Sequence, residues 1–199
     1  YVELPDGRIA VSVADVAGKG VPAALLMARL YSAARYHLLT KPTVAEAMSG
    51  LNAEIATSGL GHRFITCVLV VIDPKEQNVT LVSAGHLPPI RRSLNGEVSL
   101  IEGDDMGLPL GIIPDQEFVQ TVIPVEKGDT WVLFTDGVTE AMTVERELYG
   151  TKRLTNFIGS GPLEVDDLVK GIVDNVAEFA GDSASQSDDL CLVAFQRNP

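Results

Sequence analysis

Val11-Ser12-Val13-Ala14-Asp15-Val16-Ala17-Gly18-Lys19-Gly20-Val21-Pro22-Ala23-Ala24-Leu25-Leu26-Met27 reads as an apolar strand, a glycine-flanked turn and the start of a long apolar helix. Asp15 stands where the strand stops. A carboxylate there lies at the rim of a sheet, with rigid neighbours on both sides. Gly18 and Gly20 let the backbone bend tightly or approach a ligand closely. Pro22 suits the first turn of a helix, where its missing N–H costs nothing. Taken alone, the stretch fits equally a strand-turn-helix corner with Asp15 as a capping residue.

Before this stretch, Tyr1 to Asp15 reads as two strands around the turn Pro5-Asp6-Gly7-Arg8. After it, Val21 to Leu39 is Ala- and Leu-rich and nearly apolar on every face, the pattern of a buried helix. A second helix is expected from Thr43 to about Thr57. Thr43 and Glu46 form a capping box, and Val44, Ala47, Met48, Leu51 and Ile55 recur at helical spacing.

Phe64 to Ile72 is a strand with so continuous an apolar run that both of its faces are expected to be covered. Residues 73–78 turn it into a strand over Val79 to Ala84, which Gly85-His86-Leu87-Pro88-Pro89 interrupts and Pro89 to Arg92 resumes. Leu94 to Glu97 turns into Val98 to Ile101. Glu117 to Ile123 and Thr130 to Thr135 read as further strands, and helices follow near Thr151 to Ile158 and over Leu163 to Phe179. Asp188-Asp189 opens a last strand, Leu190 to Phe195. No internal repeat or low-complexity tract is visible. Hairpin-type turns with helices grouped before and after them specify an α+β class with antiparallel sheets, not alternating βαβ units. Helices covering stacked sheets explain strands that are apolar on both faces.

Three acidic positions share one design. Asp15 ends a strand before a glycine turn, Asp136 follows Trp131-Val132-Leu133-Phe134-Thr135 and precedes Gly137, and Asp188 with Asp189 begins the final strand. Carboxylates at the ends of adjacent strands converge on one point. Hard divalent cations take such oxygen ligands, and Mg²⁺ in particular needs only a few of them and keeps several waters. Each aspartate alone is also an ordinary turn residue.

Four segments together resemble one family. Asp15 to Ala24, Ser83-Ala84-Gly85-His86-Leu87-Pro88-Pro89, Phe134-Thr135-Asp136-Gly137-Val138-Thr139-Glu140-Ala141 and Ser187-Asp188-Asp189-Leu190 are similar to the motifs of the bacterial PPM-type serine/threonine phosphatases. Within these, the branch of the stage II sporulation phosphatase and the stress-response sigma-factor regulators is nearest. The motifs occur in the family's order and span nearly the whole chain, so residues 1–199 are expected to form one phosphatase domain. The resemblance implies an αββα sandwich of two stacked, mainly antiparallel sheets flanked by helices, with two Mn²⁺ or Mg²⁺ ions per site. It implies that Asp15 bridges both metals, that the carbonyl of Val16 helps hold one, and that Asp136 and Asp188 are ligands. Asp189, adjacent, supports them. Two metals about 4 Å apart lower the pKa of a shared water and clamp a phosphoryl group for in-line attack. The implied substrate is a phosphorylated regulatory protein of the anti-anti-sigma type, and the implied upstream partner is a sensor or receiver domain. A homodimer is compatible with this.

The family carries one further acidic motif, Gly-Gly-Asp with an aromatic pair and Asp, which would fall before Tyr1. A chain without an initiator Met reads as a fragment, and that motif is expected to lie upstream. A catalytically inactive domain of the same fold, used for binding or dimerisation, is the rival reading. Lys19 suits either phosphate attraction near a helix N-terminus or a solvated turn, and Gly18 and Gly137 lie on the same phosphate-side loops. His86 suits a turn-stabilising role, or that of a general acid or ligand. Gly107-Leu108-Pro109-Leu110-Gly111 suits a tight connector or an active-site edge. Gly18-Lys19-Gly20 lacks the spacing of a P-loop, so nucleotide binding is weakly supported.

Composition narrows the field further. The chain has 199 residues, 46% hydrophobic, with 15 basic and 27 acidic side chains and a net charge of −12. No basic cluster exceeds Arg91-Arg92, which argues against nucleic acid or an anionic membrane as partner. No apolar run approaches the roughly 20 residues that span a bilayer, and no signal peptide opens the chain. The two cysteines, Cys67 and Cys191, lie in apolar runs and read as core thiols of a cytoplasmic protein.

Overall fold

The computed structural model describes residues 1–59, 63–181 and 189–198. In chain order the elements are β1 (Val2–Glu3), β2 (Ile9–Val16), α1 (Val21–Thr40), α2 (Val44–Ala56), β3 (Ile65–Asp73), β4 (Asn78–Ala84) and β5 (Ile90–Arg92). There follow β6 (Val98–Leu100), β7 (Thr121–Pro124), β8 (Thr130–Phe134), α3 (Asp136–Thr139), α4 (Gly150–Ser160), α5 (Val165–Ala180) and β9 (Leu192–Gln196). The class is α+β, and every strand pairing within the two sheets is antiparallel, as the hairpin-type turns imply. The chain divides into two compact units, Tyr1–His86 with Glu102–Val125, and Leu87–Ile101 with the chain from Glu126 onward.

The first unit is a five-stranded sheet in the order β1-β2-β3-β4-β7. Each residue of β2 is paired with β3, from Ile9 opposite Ile72 to Val16 opposite Ile65. One face of these strands, with Ala10, Cys67, Leu69 and Val71, packs against Leu26, Leu30 and Ala33 of α1 and Met48, Leu51 and Ile55 of α2. The other face carries Val11, Val13, Val68 and Val70, also buried, so β3 is covered on both sides as its apolar run requires. Thr43 caps α2 by accepting the Glu46 amide at 3.1 Å. The capping box closes through the side chains, with the Thr43 hydroxyl donating to Glu46 Oε1 at 3.0 Å.

Helix α1 departs from its apolar sequence. Only Leu26, Leu30, Ala33 and His37 are buried, one stripe at helical spacing. Leu25, Met27, Tyr31, Tyr36 and Leu39 are 44–65% exposed, because α2 and the sheet cover a single side. The strand expected over Glu117 to Ile123 is also shorter. Its first residues bond to α2 instead of a ladder: the Phe118 amide donates to Ser49 Oγ at 3.1 Å, and Gln120 Oε1 accepts the Ala45 amide at 3.1 Å.

The second unit is a four-stranded sheet in the order β6-β5-β8-β9. Its core joins Ile90, Val132 and Phe134 to Leu154 and Ile158 of α4 and Leu168, Ile172 and Val176 of α5. Trp131 and Phe195 stack with centroids 6.0 Å apart. Arg92 is buried, and among the described residues it forms no ion pair with a carboxylate. Its guanidinium donates to the carbonyls of Ile158 at 2.8 Å, Pro162 at 2.9 Å and Gly161 at 3.3 Å, closing the C-terminal end of α4. Burial lowers its pKa.

Residues 85–89 do not merely interrupt one strand. β4 belongs to the first sheet and β5 to the second. Gly85 has φ +64°, and the two prolines that follow offer no N–H to a ladder, so the chain leaves one sheet and enters the other. The Gly85 amide donates to the Met106 carbonyl at 2.8 Å. A Cβ on Gly85 would lie 2.7 Å from the Pro109 ring and 2.9 Å from its nitrogen. Gly85→Ala combines a left-handed backbone penalty of about 1–2 kcal/mol with an overpacking cost of about 1–3 kcal/mol. Urea unfolding of this variant is expected to show a stability loss of about 2–5 kcal/mol.

Candidate metal and phosphate site

The sequence-predicted site residues fall in both units. Asp15, Val16, Gly18 and Lys19 belong to the first, and Asp136, Gly137 and Asp189 to the second. Asp188 lies outside the described residues.

In the first unit, Asp15 is the penultimate residue of β2 and partly buried. The strand is prolonged past Val16 by the Ala17 amide, which donates to the Phe64 carbonyl at 2.9 Å. The chain then turns through Gly18 at φ +101° and Gly20 at φ +86°. Gly20 is the N-cap of α1 and offers no side chain to the helix end. A Cβ on Gly18 would lie 3.4 Å from Arg63 Nε, so this turn runs close beside that guanidinium. Lys19 is exposed. The face of β2 that carries Asp15 is that of Val11 and Val13, opposite the α1 and α2 side.

His86 is buried, and its Nδ1 lies 2.9 Å from Thr66 Oγ1. Thr66 is directly opposite Asp15 in the ladder. The loop at 107–111 is a tight connector: Leu110 is buried and exchanges two backbone hydrogen bonds with Ile65, at 3.0 and 2.8 Å. Asn52 holds the residues after it. Its amide donates to the carbonyls of Ile113 at 2.8 Å and Pro114 at 3.1 Å, and its Oδ1 accepts the Gly111 amide at 2.9 Å.

In the second unit, Asp136 opens the short helix α3 two positions beyond the end of β8, with Thr135 between them as the helix N-cap. It is half-buried, and its carboxylate makes no hydrogen bond or ion pair among the described residues. Thr135 latches the two chain segments together. Its hydroxyl donates to the Asp189 carbonyl at 3.1 Å and accepts the Cys191 amide at 3.0 Å, while its own amide donates to the Cys191 carbonyl at 3.1 Å. The Asp189 backbone presses on Gly137, where a Cβ would lie 2.4 Å from the Asp189 oxygen. The structure thus brings Asp136, Gly137 and Asp189 together through a latch that only a small hydroxyl residue followed by a glycine permits.

A hard divalent cation fits this donor set. An unpaired carboxylate stands on a rigid turn, and the glycine cradle keeps the neighbouring acidic segment against it. Among the described residues no three His, Cys, Asp or Glu side chains form a ready cluster for a metal. At this turn the described part of the second unit brings together Asp136 and the Asp189 backbone.

The thiols separate. Cys67 is buried in β3, and burial pushes its pKa up to about 12. Cys191 corrects the core reading: it is exposed and precedes β9 instead of lying within it. The Thr135 latch ends the strand pairing at Leu192, which leaves Cys191 outside the ladder.

Comparison with known proteins places these features in one family. The model of the family described as Stage II sporulation protein E (SpoIIE) matches residues 5–198. The chain belongs to the SpoIIE family. It is 30% identical over 194 residues to the phosphoserine phosphatase RsbU of Bacillus subtilis (strain 168), a match that covers 95% of this chain and 56% of RsbU. It spans about half or less of the length of the curated relatives it matches. The PP2C phosphatase domain of SpoIIE from Bacillus subtilis, solved with a fragment of its regulatory domain, superposes with a TM-score of 0.79 at 16% identity, over 94% of this chain and 54% of that one. RsbX, solved in complex with magnesium, superposes with a TM-score of 0.68 at 18% identity, over 94% of this chain and 80% of that one. The fold of this SpoIIE-family chain is that of the PP2C phosphatase domains.

Two outcomes test the local chemistry. Thr135→Val removes both side-chain bonds of the latch and is expected to cost about 1–3 kcal/mol in urea unfolding, with Thr135→Ser close to the parent. In the folded protein at pH 7, iodoacetamide is expected to modify Cys191 and leave Cys67 intact until denaturant is added, as mass spectrometry of the digest reads directly.

Proposed function

We propose that this chain is a metal-dependent protein phosphatase that hydrolyses phosphoserine or phosphothreonine on a regulatory protein of the anti-anti-sigma type. The latched turn Thr135-Asp136-Gly137, with Asp189 pressed against it, is the observation that carries this reading. Membership of the SpoIIE family and the likeness to a phosphoserine phosphatase support it. Residues 1–199 are read as one phosphatase domain of a longer cytoplasmic protein whose sensor or receiver domain governs it. No helix among the described residues is long and apolar enough to cross a membrane. A homodimer is compatible with this organisation.

In this reading Asp15, Asp136 and Asp188, with the Val16 carbonyl, hold two Mn²⁺ or Mg²⁺ ions, and Asp189 supports the set. Bound there, the ions would supply the Lewis acidity that lets water displace the serine or threonine oxygen from phosphorus. The protein contributes position. β2 is paired along its length with β3, and β8 with β5 and β9; β2 holds Asp15 near its end and β8 delivers Asp136 just beyond its own, so the ligands do not need to be ordered when the ions arrive. Gly18 lets the turn after Asp15 run beside the Arg63 guanidinium, and Gly137 admits the Asp189 backbone beside Asp136. Lys19, exposed on the turn after Asp15, is placed to attract a dianionic ester. No covalent nucleophile is required, and neither thiol suits the task, one being buried and held protonated and the other set outside the ladder.

Phosphate release from a phosphoserine protein is expected with Mn²⁺ and not with chelator. Asp136→Asn is expected to lower the rate at least 100-fold while unfolding stays within about 1 kcal/mol, since a half-buried strand-end residue adds little to the core. Mn²⁺ at about 100 times its Kd is expected to stabilise the parent by about 2.7 kcal/mol, an effect lost in Asp136→Asn. A phosphorylated Cys or Ser trapped on the enzyme would defeat direct attack by water. Metal binding without turnover would favour a binding module.

A further inference from the structure

We infer that Thr66 and His86 are positioning residues for Asp15, orienting its carboxylate for a divalent cation. The inference rests on the function proposed above and adds to it two side chains of the first unit. Asp15 and Thr66 are exact cross-strand partners in the β2–β3 ladder. Directly opposed residues of an antiparallel pair point to the same face with Cβ atoms about 4.5–5.5 Å apart, within reach of a hydroxyl on one and a carboxylate on the other. Thr66 in turn lies 2.9 Å from the Nδ1 of His86.

The imidazole is not free to turn away. His86 is buried, and the backbone before it is pinned twice, by the bridge of Gly85 to Cys67 and by the Gly85 amide on Met106. Proton direction then matters. An ionised carboxylate only accepts, and a threonine hydroxyl has one proton to give. In the tautomer that carries its proton on Nδ1, His86 donates to Thr66 Oγ1 and leaves the Thr66 proton for Asp15. The other tautomer would draw that proton towards the ring and set oxygen against oxygen. The row His86, Thr66, Asp15 then leaves the hydroxyl proton on the sheet face that carries the carboxylate. Such outer partners fix the orientation and basicity of a metal ligand, and their loss typically weakens metal affinity about 10–100-fold.

Calorimetric titration of Mn²⁺ into the parent, Asp15→Asn, Thr66→Val, Thr66→Ser and His86→Leu tests the inference. Melting in chelator confirms that each variant is folded, and Thr66→Ala replaces Thr66→Val if the latter is not. Asp15→Asn is expected to lose most of the binding. Thr66→Val and His86→Leu are expected to bind about 10–100-fold more weakly, and Thr66→Ser to bind like the parent, a rescue that a packing role alone would not give. Parent-like affinity in both Thr66→Val and His86→Leu, with Asp15→Asn impaired, would overturn the positioning role and leave the proposed function standing. Parent-like affinity in Asp15→Asn would overturn both.

Discussion

The pairing of β2 with β3 over its full eight residues is the constraint on which the first unit depends. A slip of one residue would turn every side chain to the opposite face. Asp15 would then face the α1 and α2 core, where an unpaired carboxylate is costly, and Ala14 would take its place. The buried alternation of Ala10, Cys67, Leu69 and Val71 on one face and Val11, Val13, Val68 and Val70 on the other excludes that slip. The core therefore sets the position of the acidic residue. β8 does the same for the second unit: Trp131, Val132, Leu133 and Phe134 are all buried, and Asp136 is delivered just beyond them.

Long apolar runs and turn chemistry were legible from the residues. The strands, the order of the helices, the Thr43 cap and the antiparallel class follow from local pattern, because the strands are short, buried and joined by recognisable turns. What local pattern does not carry is the identity of the partner. Residues 85–89 look the same whether the chain resumes a strand or changes sheet, because glycine and proline state only that a ladder stops. Helix α1 is apolar all round, and nothing in its own sequence says that just one stripe is covered.

The candidate site divides along the same line. The acidic residues announce themselves by their glycine neighbours. Their supports do not. Thr135 reads as one more β-branched strand residue, yet its hydroxyl joins two segments 54 positions apart. Thr66 sits inside an apolar run, and Asn52 on the apolar stripe of α2 is the one signal that a polar side chain there serves a loop. Side chains that act by holding others carry no periodicity, and a motif that contains one does not say which side chain it holds.

Arg92 gives the second unit a contact that neither acid nor salt disturbs. Its guanidinium stays charged throughout the range in which proteins fold, and its acceptors are neutral carbonyls that take up no proton. Buried as it is, the contact is also little screened by dissolved ions. In a chain of net charge −12, acidification and added salt change the surface of the molecule considerably. The clasp of Arg92 on the end of α4 is indifferent to both, a mechanical fixture among electrostatic ones.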